Sequence, residues 1–159
     1  MDYIEIERKF LLKKLPKLPS YKDFLIYEQG YLPGKTIKER LTIHYTNPVK
    51  YRRAVKIGSG EERFEFKEKV NKEVFEMFWP LTEGRRIKKQ RYWVQAEGKL
   101  VWEIDEFLDR KLFIAEIETP KKGYPIKIPS WLKSVIIREV TEEKEFEGFN
   151  IAQQKISNK

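Results

Sequence analysis

A chain of 159 residues with 40% hydrophobic and 14% aromatic content is long enough for one domain with a sizeable core, and its composition is globular rather than disordered. The absence of cysteine excludes disulfides and thiolate metal centres, and the single histidine, His44, cannot by itself build a histidine metal site or a Ser-His-Asp triad. A net charge of +8 points to an anionic partner, such as nucleic acid, a phosphorylated small molecule or an acidic membrane surface.

No apolar run approaches the roughly 18 residues of a membrane span, and the opening Met-Asp-Tyr-Ile-Glu lacks the basic and apolar regions of a signal sequence. A cytoplasmic protein is the expectation. Along the chain, residues 1–10 alternate as a strand, with Glu5, Glu7 and Lys9 on one face and Ile4, Ile6, Arg8 and Phe10 on the other. Pro16 and Pro19 mark a loop. Further strands follow over Phe24–Leu32, Thr36–Tyr45, Lys50–Ile57 and Glu62–Val70. Val74 with Phe78, and Phe75 with Trp79, switch to helical spacing, with Asn71 as cap and Pro80 as stop. Strand period returns over Arg86–Ala96, Lys99–Phe107 and Lys111–Thr119. The tail from Pro120 carries a Trp131-Leu132 anchor and a helix expected over about Thr141–Gln154. No repeat or linker divides residues 1–159, so one domain is expected.

Eight strands with tight turns suggest an antiparallel barrel. Their charged faces sort by sign. Strands one, seven and eight offer Glu5, Glu7, Glu103, Asp105, Glu116 and Glu118. Strands three to six offer Lys38, Arg40, Arg52, Lys56, Arg63, Lys67, Lys69, Lys89 and Arg91. If the sheet closes, an acidic flank faces a basic one across an interior that a divalent cation and a polyanion would neutralise together. Oxygen ligands without Cys or His select Mg²⁺ or Mn²⁺. Phosphoryl transfer needs that same combination. A two-layer sandwich with solvated charged faces has the same alternation, so parity alone leaves both architectures open.

The ordered set Glu5-Ile6-Glu7-Arg8-Lys9-Phe10, Gln29-Gly30-Tyr31-Leu32, Arg40, Lys56, Arg63 with Glu65, Thr82 to Tyr92, Glu103 to Phe107, Ala115 to Glu118, Pro129-Ser130-Trp131 and Glu139-Val140-Thr141 resembles the CYTH superfamily, the triphosphate tunnel metalloenzymes. Phe75 to Tyr92 is especially similar to compact prokaryotic inorganic triphosphatases. The resemblance implies a mainly β fold, an eight-stranded antiparallel barrel tunnel with flanking helices and a C-terminal helix near one mouth. It implies Glu5, Glu7, Asp105, Glu116 and Glu118 as ligands of Mg²⁺ or Mn²⁺, with Glu139 at the margin of that group. It further implies Lys9, Arg40, Lys56, Arg63, Lys89, Arg91 and Lys144 on the triphosphate, and Lys9 with Tyr31 on the attacking water.

The expected activity is removal of the terminal phosphate of inorganic triphosphate, with nucleoside triphosphates as weaker substrates. The alternatives are a class IV-type adenylyl cyclase and a non-catalytic binder of polyphosphate or nucleic acid. Neither membrane nor nucleic acid is the expected partner, and a homodimer stays open. Three departures stand out. Thr42 replaces the second arginine of the family's Arg-x-Arg, so that one phosphate ligand is either missing or replaced by Lys38 or Arg52. Lys67 replaces the second glutamate of a Glu-x-Glu. Glu145 and Gly148 stand where Arg and Asn are usual.

Overall fold

A computed structural model describes residues 3–21 and 23–154 of the chain. Its strands are β1 (Ile4–Leu12), β2 (Asp23–Tyr31), β3 (Ile37–His44), β4 (Lys50–Ile57), β5 (Glu62–Val70), β6 (Arg86–Gln95), β7 (Val101–Phe107), β8 (Phe113–Glu118) and β9 (Ile136–Glu139). They pair antiparallel in the order β5-β4-β3-β2-β6-β7-β8-β1-β9, and β5 also pairs with β1, which closes the first eight into a barrel. The eight-stranded expectation therefore holds, with β9 added. Strand β1 divides one edge between two partners. Ile4, Glu5 and Ile6 pair with Phe64, Arg63 and Glu62 of β5, while Phe10 to Leu12 face β9. Arg8 clamps that second partner from outside through two hydrogen bonds to Glu139, at 2.6 and 3.0 Å.

The charged faces point inward because the apolar faces are the ones with something to cover them. Phe10, Leu12, Val94, Trp102, Ile104, Ala115 and Ile117 form a buried layer on the outside of β1, β6, β7 and β8. The tail lies over it through Ile126, Ile128, Trp131, Leu132 and Val135, with α2 (Ser130–Lys133) in the middle. Leu132 is fully buried, as its reading as an anchor required. Burial of each such side chain stabilises the fold by about 1.5–3 kcal/mol.

The opposite wall is covered by α1 (Lys72–Phe78) and the 3₁₀ turn Trp79–Thr82. The Asn71 side chain accepts from the Val74 backbone at 2.8 Å, as its capping role predicts, and Phe75 packs between Tyr51 and Trp79. This layer sits so close to β2 that a Cβ on Gly30 would come within 2.5 Å of the Thr82 hydroxyl.

The predicted helix over Thr141–Gln154 is broken. It is a 3₁₀ turn, Lys144–Phe146, and a single turn α3 (Gly148–Ile151), separated by Glu147 in extended conformation at φ −73°, ψ 140°. Gln154 is its last described residue. Among the described residues no helix is long and apolar enough to cross a membrane.

Candidate active site

The alternation that directs charge inward also seals one end of the barrel. Along β6 the inward row runs Arg91, Lys89, Ile87; along β7 Glu103, Asp105, Phe107; along β8 Glu118, Glu116, Ile114. All three turn apolar at the same end. There Tyr31, Ile87, Phe107 and Ile114 pack with Ile151, Ala152, Phe146 and Phe149 of the C-terminal segment. Polar bonds fix this cap: Lys9 Nζ donates to the Phe146 carbonyl at 3.0 Å, Lys38 pairs with Glu147 at 2.8 Å, and Arg110 donates to the Ile151 carbonyl. Gly148 lies so close that an added Cβ would stand 2.3 Å from the Tyr31 hydroxyl.

What remains is a charged cavity of about 210 Å³. Its acidic arc comes from three adjacent strands, β7, β8 and β1, through Glu103, Glu116, Glu118, Glu5 and Glu7. Its basic arc comes from β3 to β6 through Arg40, Arg52, Lys56, Arg63, Lys67, Lys89 and Arg91. The arcs meet at two seams. At one, Arg63 reaches Glu5 at 3.2 Å and Glu7 at 3.1 Å. At the other, Arg91 binds Asp105 and Glu103 and approaches Glu116 at 3.4 Å.

Within the acidic arc, one oxygen each from Glu7, Glu103 and Glu116 lies within 4.8 Å of the others. Burial, and then the Glu116 carboxylate, push the Glu7 carboxyl up to about 8. Burial alone would raise Glu116 too, but Lys9, Arg91 and Lys89 more than offset it and hold it well below the usual range. Two carboxyls side by side are thus driven in opposite directions, Glu7 by burial and by its neighbour's charge, Glu116 by the cations around it. Three converging carboxylates with no nitrogen or sulfur donor fit a hard divalent ion.

The basic arc has a surplus of cations. Arg40 and Lys56, each at 3.6 Å, and Lys67 at 3.7 Å surround Glu65 Oε1. Among the described residues, neither Glu65 oxygen finds a hydrogen-bond donor, and Arg40 Nε and Arg52 Nε are buried without an acceptor. Burial, with Arg40 and Arg63 adding to it, holds the Lys56 ammonium well below the usual lysine range. Several cations thus gather round one loosely held carboxylate, an arrangement a phosphate chain would satisfy better.

Most residues expected from the sequence meet here: Glu5, Glu7, Glu116 and Glu118 on one side, Lys9, Arg40, Lys56, Arg63, Lys89 and Arg91 on the other, and Tyr31 beside the cap. Three sit differently. Asp105, expected among the metal ligands, is fully buried beneath the wall, held by Lys89 at 2.9 Å and by Arg91 at 2.6 and 2.8 Å. Glu103, opposite Glu116 in the β7–β8 register, is the carboxylate that converges with Glu7 and Glu116 in its stead. Glu139 is outside the barrel on Arg8. Lys144, expected on the triphosphate, is exposed at the start of the 3₁₀ turn and does not line the cavity.

Arg52, Gln29, Thr42, Tyr27 and His44 also line the cavity. Each shares the inward parity of its strand, which is the signal that reveals it. His44 packs edge-on against Tyr27 at 4.9 Å. Burial, then Arg52 and Arg40, lower its imidazole to about 4. Between the ordinary value near 6.5 and about 4, the unfolded chain therefore takes up a proton that the folded one refuses. Stability contributed by the neutral ring is present above pH 6.5 and is lost as the pH falls toward 4. His44→Gln should flatten that part of the stability profile in urea unfolding measured from pH 7 to pH 4, whereas an unchanged slope would assign it to other groups.

A closed antiparallel barrel with an acidic arc facing a basic arc defines a charged tunnel suited to a metal and a polyphosphate. No family model matches the chain. Individual proteins do. It is 32% identical over 154 residues to the inorganic triphosphatase of Nitrosomonas europaea, covering 93% of this chain and 96% of the relative. It is 31% identical over 163 residues to that of Acetivibrio thermocellus, covering 97% and 96%. The crystal structure of the inorganic triphosphatase NE1496 superposes with a TM-score of 0.67 at 29% identity, over 96% of this chain and 97% of that one. The chain belongs to this family of inorganic triphosphatases, within the triphosphate tunnel metalloenzymes.

Proposed function

We propose that this protein hydrolyses inorganic triphosphate to diphosphate and phosphate with the help of Mg²⁺ or Mn²⁺, nucleoside triphosphates being slower substrates. The observation that carries this reading is the confrontation of the Glu7–Glu103–Glu116 cluster with the Arg40–Lys56–Arg63 wall inside one cavity. Glu7, Glu103 and Glu116 would hold the cation, with Glu5 and Glu118 at its flank. When bound, the ion would polarise phosphoryl oxygens and offset their charge. Arg40, Lys56, Arg63, Lys89 and Arg91 would hold the remaining phosphate oxygens and stabilise the charge that grows on the departing diphosphate as the phosphoanhydride bond breaks. Lys9 and Tyr31, both buried beside the cap, would orient the attacking water. The cap excludes bulk solvent from that end, which strengthens every such interaction.

The test is phosphate release from triphosphate, diphosphate, ATP and thiamine triphosphate, with Mg²⁺, with Mn²⁺ and with chelator. Triphosphate should be the preferred substrate and chelator should abolish its turnover. Equal release with and without chelator would remove the cation from the reading, and cyclic AMP as the main product from ATP would replace the reading with a cyclase.

A further inference from the structure

One cationic cleft outside the tunnel is not used by the reaction. Strand β4 runs along the wall from the cap to the far rim: Lys56 lies next to the capped end, Arg52 about 13 Å further on at ~3.3 Å per residue, and Lys50 beyond it. At that rim a cavity of about 500 Å³ opens between β4, β5 and the start of α1, lined by Lys50, Arg52, Lys69 and Lys72 with Val49, Tyr51, Val70 and Asn71. No carboxylate of the described residues lines it. Among those residues Lys50, Arg52 and Lys69 form no ion pair, and Lys72 meets only Glu76, at 3.7 Å in an exposed i,i+4 pair. Arg52 belongs to both spaces: it lines the tunnel as well as the cleft, and its buried Nε has no acceptor among the described residues. The two cavities therefore share a guanidinium with a donor to spare.

The other side of the open mouth is mixed in sign: Glu97, Glu103 and Glu118 share the groove past Trp93 and Gly98 with Lys67, Lys99 and Lys127. A polyanion leaving the tunnel meets balanced charge there and cations without carboxylates on the Lys50 side. The cleft offers little to a nucleobase, since the aromatic ring that lines it, Tyr51, is already packed on Phe75 at 4.7 Å. We infer that the Lys50–Arg52–Lys69–Lys72 cleft is a second phosphate subsite, which receives the distal phosphates of linear polyphosphates longer than the tunnel's triphosphate. This rests on the triphosphatase reading of the tunnel. Arg52 is the shared contact, while Lys50 and Lys69 serve the longer chain alone.

The experiment compares the full chain with Lys50→Ala/Lys69→Ala on triphosphate and on long-chain polyphosphate, and measures metal-free binding of long-chain polyphosphate and of a single-stranded oligonucleotide by calorimetry. Two exposed charge contacts, each within the range of surface pairs, should together raise KM for the long chain by about tenfold. KM for triphosphate should stay within about twofold. Polyphosphate binding by the metal-free protein should weaken in parallel. An unchanged KM and unchanged binding for the long chain, or equal changes for both substrates, would overturn the subsite. Loss of oligonucleotide binding with polyphosphate binding intact would overturn it in favour of nucleic acid. If the wild type releases no phosphate from triphosphate, the reading of the tunnel fails, and the calorimetric comparison still decides the cleft.

Discussion

Glu116→Gln is expected to reduce phosphate release from triphosphate by about 10²- to 10³-fold, comparable to removing one strong transition-state contact. The substitution keeps volume and shape. It removes the charge of the carboxylate that Lys9 approaches at 3.6 Å and Arg91 at 3.4 Å, and that faces Glu7 and Glu103. Two consequences combine: the site loses part of its hold on the cation, and two ammonium or guanidinium groups lose a neighbour that fixes their direction. The requirement for Mg²⁺ or Mn²⁺ should shift to higher concentration, so turnover is measured across a metal titration. The substitution also takes one partner from Lys9 and Arg91 and should lower thermal stability, so turnover is compared at a temperature where both proteins are fully folded, which separates chemistry from folding. Glu118→Gln should cost less, because that carboxylate is exposed at the open rim. Wild-type turnover by Glu116→Gln would dismiss the acidic arc from the reaction.

Arg91→Met should produce the largest loss of stability, about 3–5 kcal/mol, as expected when a buried ion network is deprived of one partner. Asp105 is 0% exposed and receives Arg91 through two nitrogens, while Glu103 and Glu116 lean on the same guanidinium. Methionine fills most of the space and supplies no positive charge. Lys89 remains on Asp105 at 2.9 Å but cannot serve three carboxylates. Adding Asp105→Asn to Arg91→Met should restore a large part of the loss, because the two positions are coupled and the second change removes the stranded charge. Urea unfolding of both variants checks this. Full additivity in the double variant would show that Asp105 and Arg91 act independently.

The parity of charged residues makes the barrel wall readable without knowledge of its shape. Glu5 and Glu7, Arg40 and Thr42, Arg52 and Lys56 all lie on the inner face that a period of two assigns them. The choice between tunnel and sandwich is not contained in that period. It depends on Glu5 meeting Arg63 across a closing seam, a contact between residues far apart in the chain. Parity places Asp105 on the correct face, but its engagement by Arg91 depends on the β6–β7 register, which the turn between those strands sets. Strand β9 is hidden because Ile136 to Glu139 is too short to show alternation and is held by Arg8 from another strand. The C-terminal helix is interrupted because Glu147 turns aside to reach Lys38 and Gly148 must pass the Tyr31 ring. Neither obstacle is local in sequence.

The divided edge of β1 has a consequence for how the molecule assembles. Its nine residues have no pairing partner among their own neighbours in the chain: the nearest are Glu62, Arg63 and Phe64, and the others lie at Phe113–Glu118 and Ile136–Glu139. Each of these ladders must close a long loop before any hydrogen bond rewards it, which makes docking of β1 a late and slow event. Until then both its edges are bare, and an uncovered strand is a template for other chains. The strand that supplies Glu5, Glu7 and Lys9 is thus also the one whose delayed arrival leaves the chain most exposed to aggregation, so refolding yield should fall with protein concentration more steeply than for a barrel built of hairpins alone.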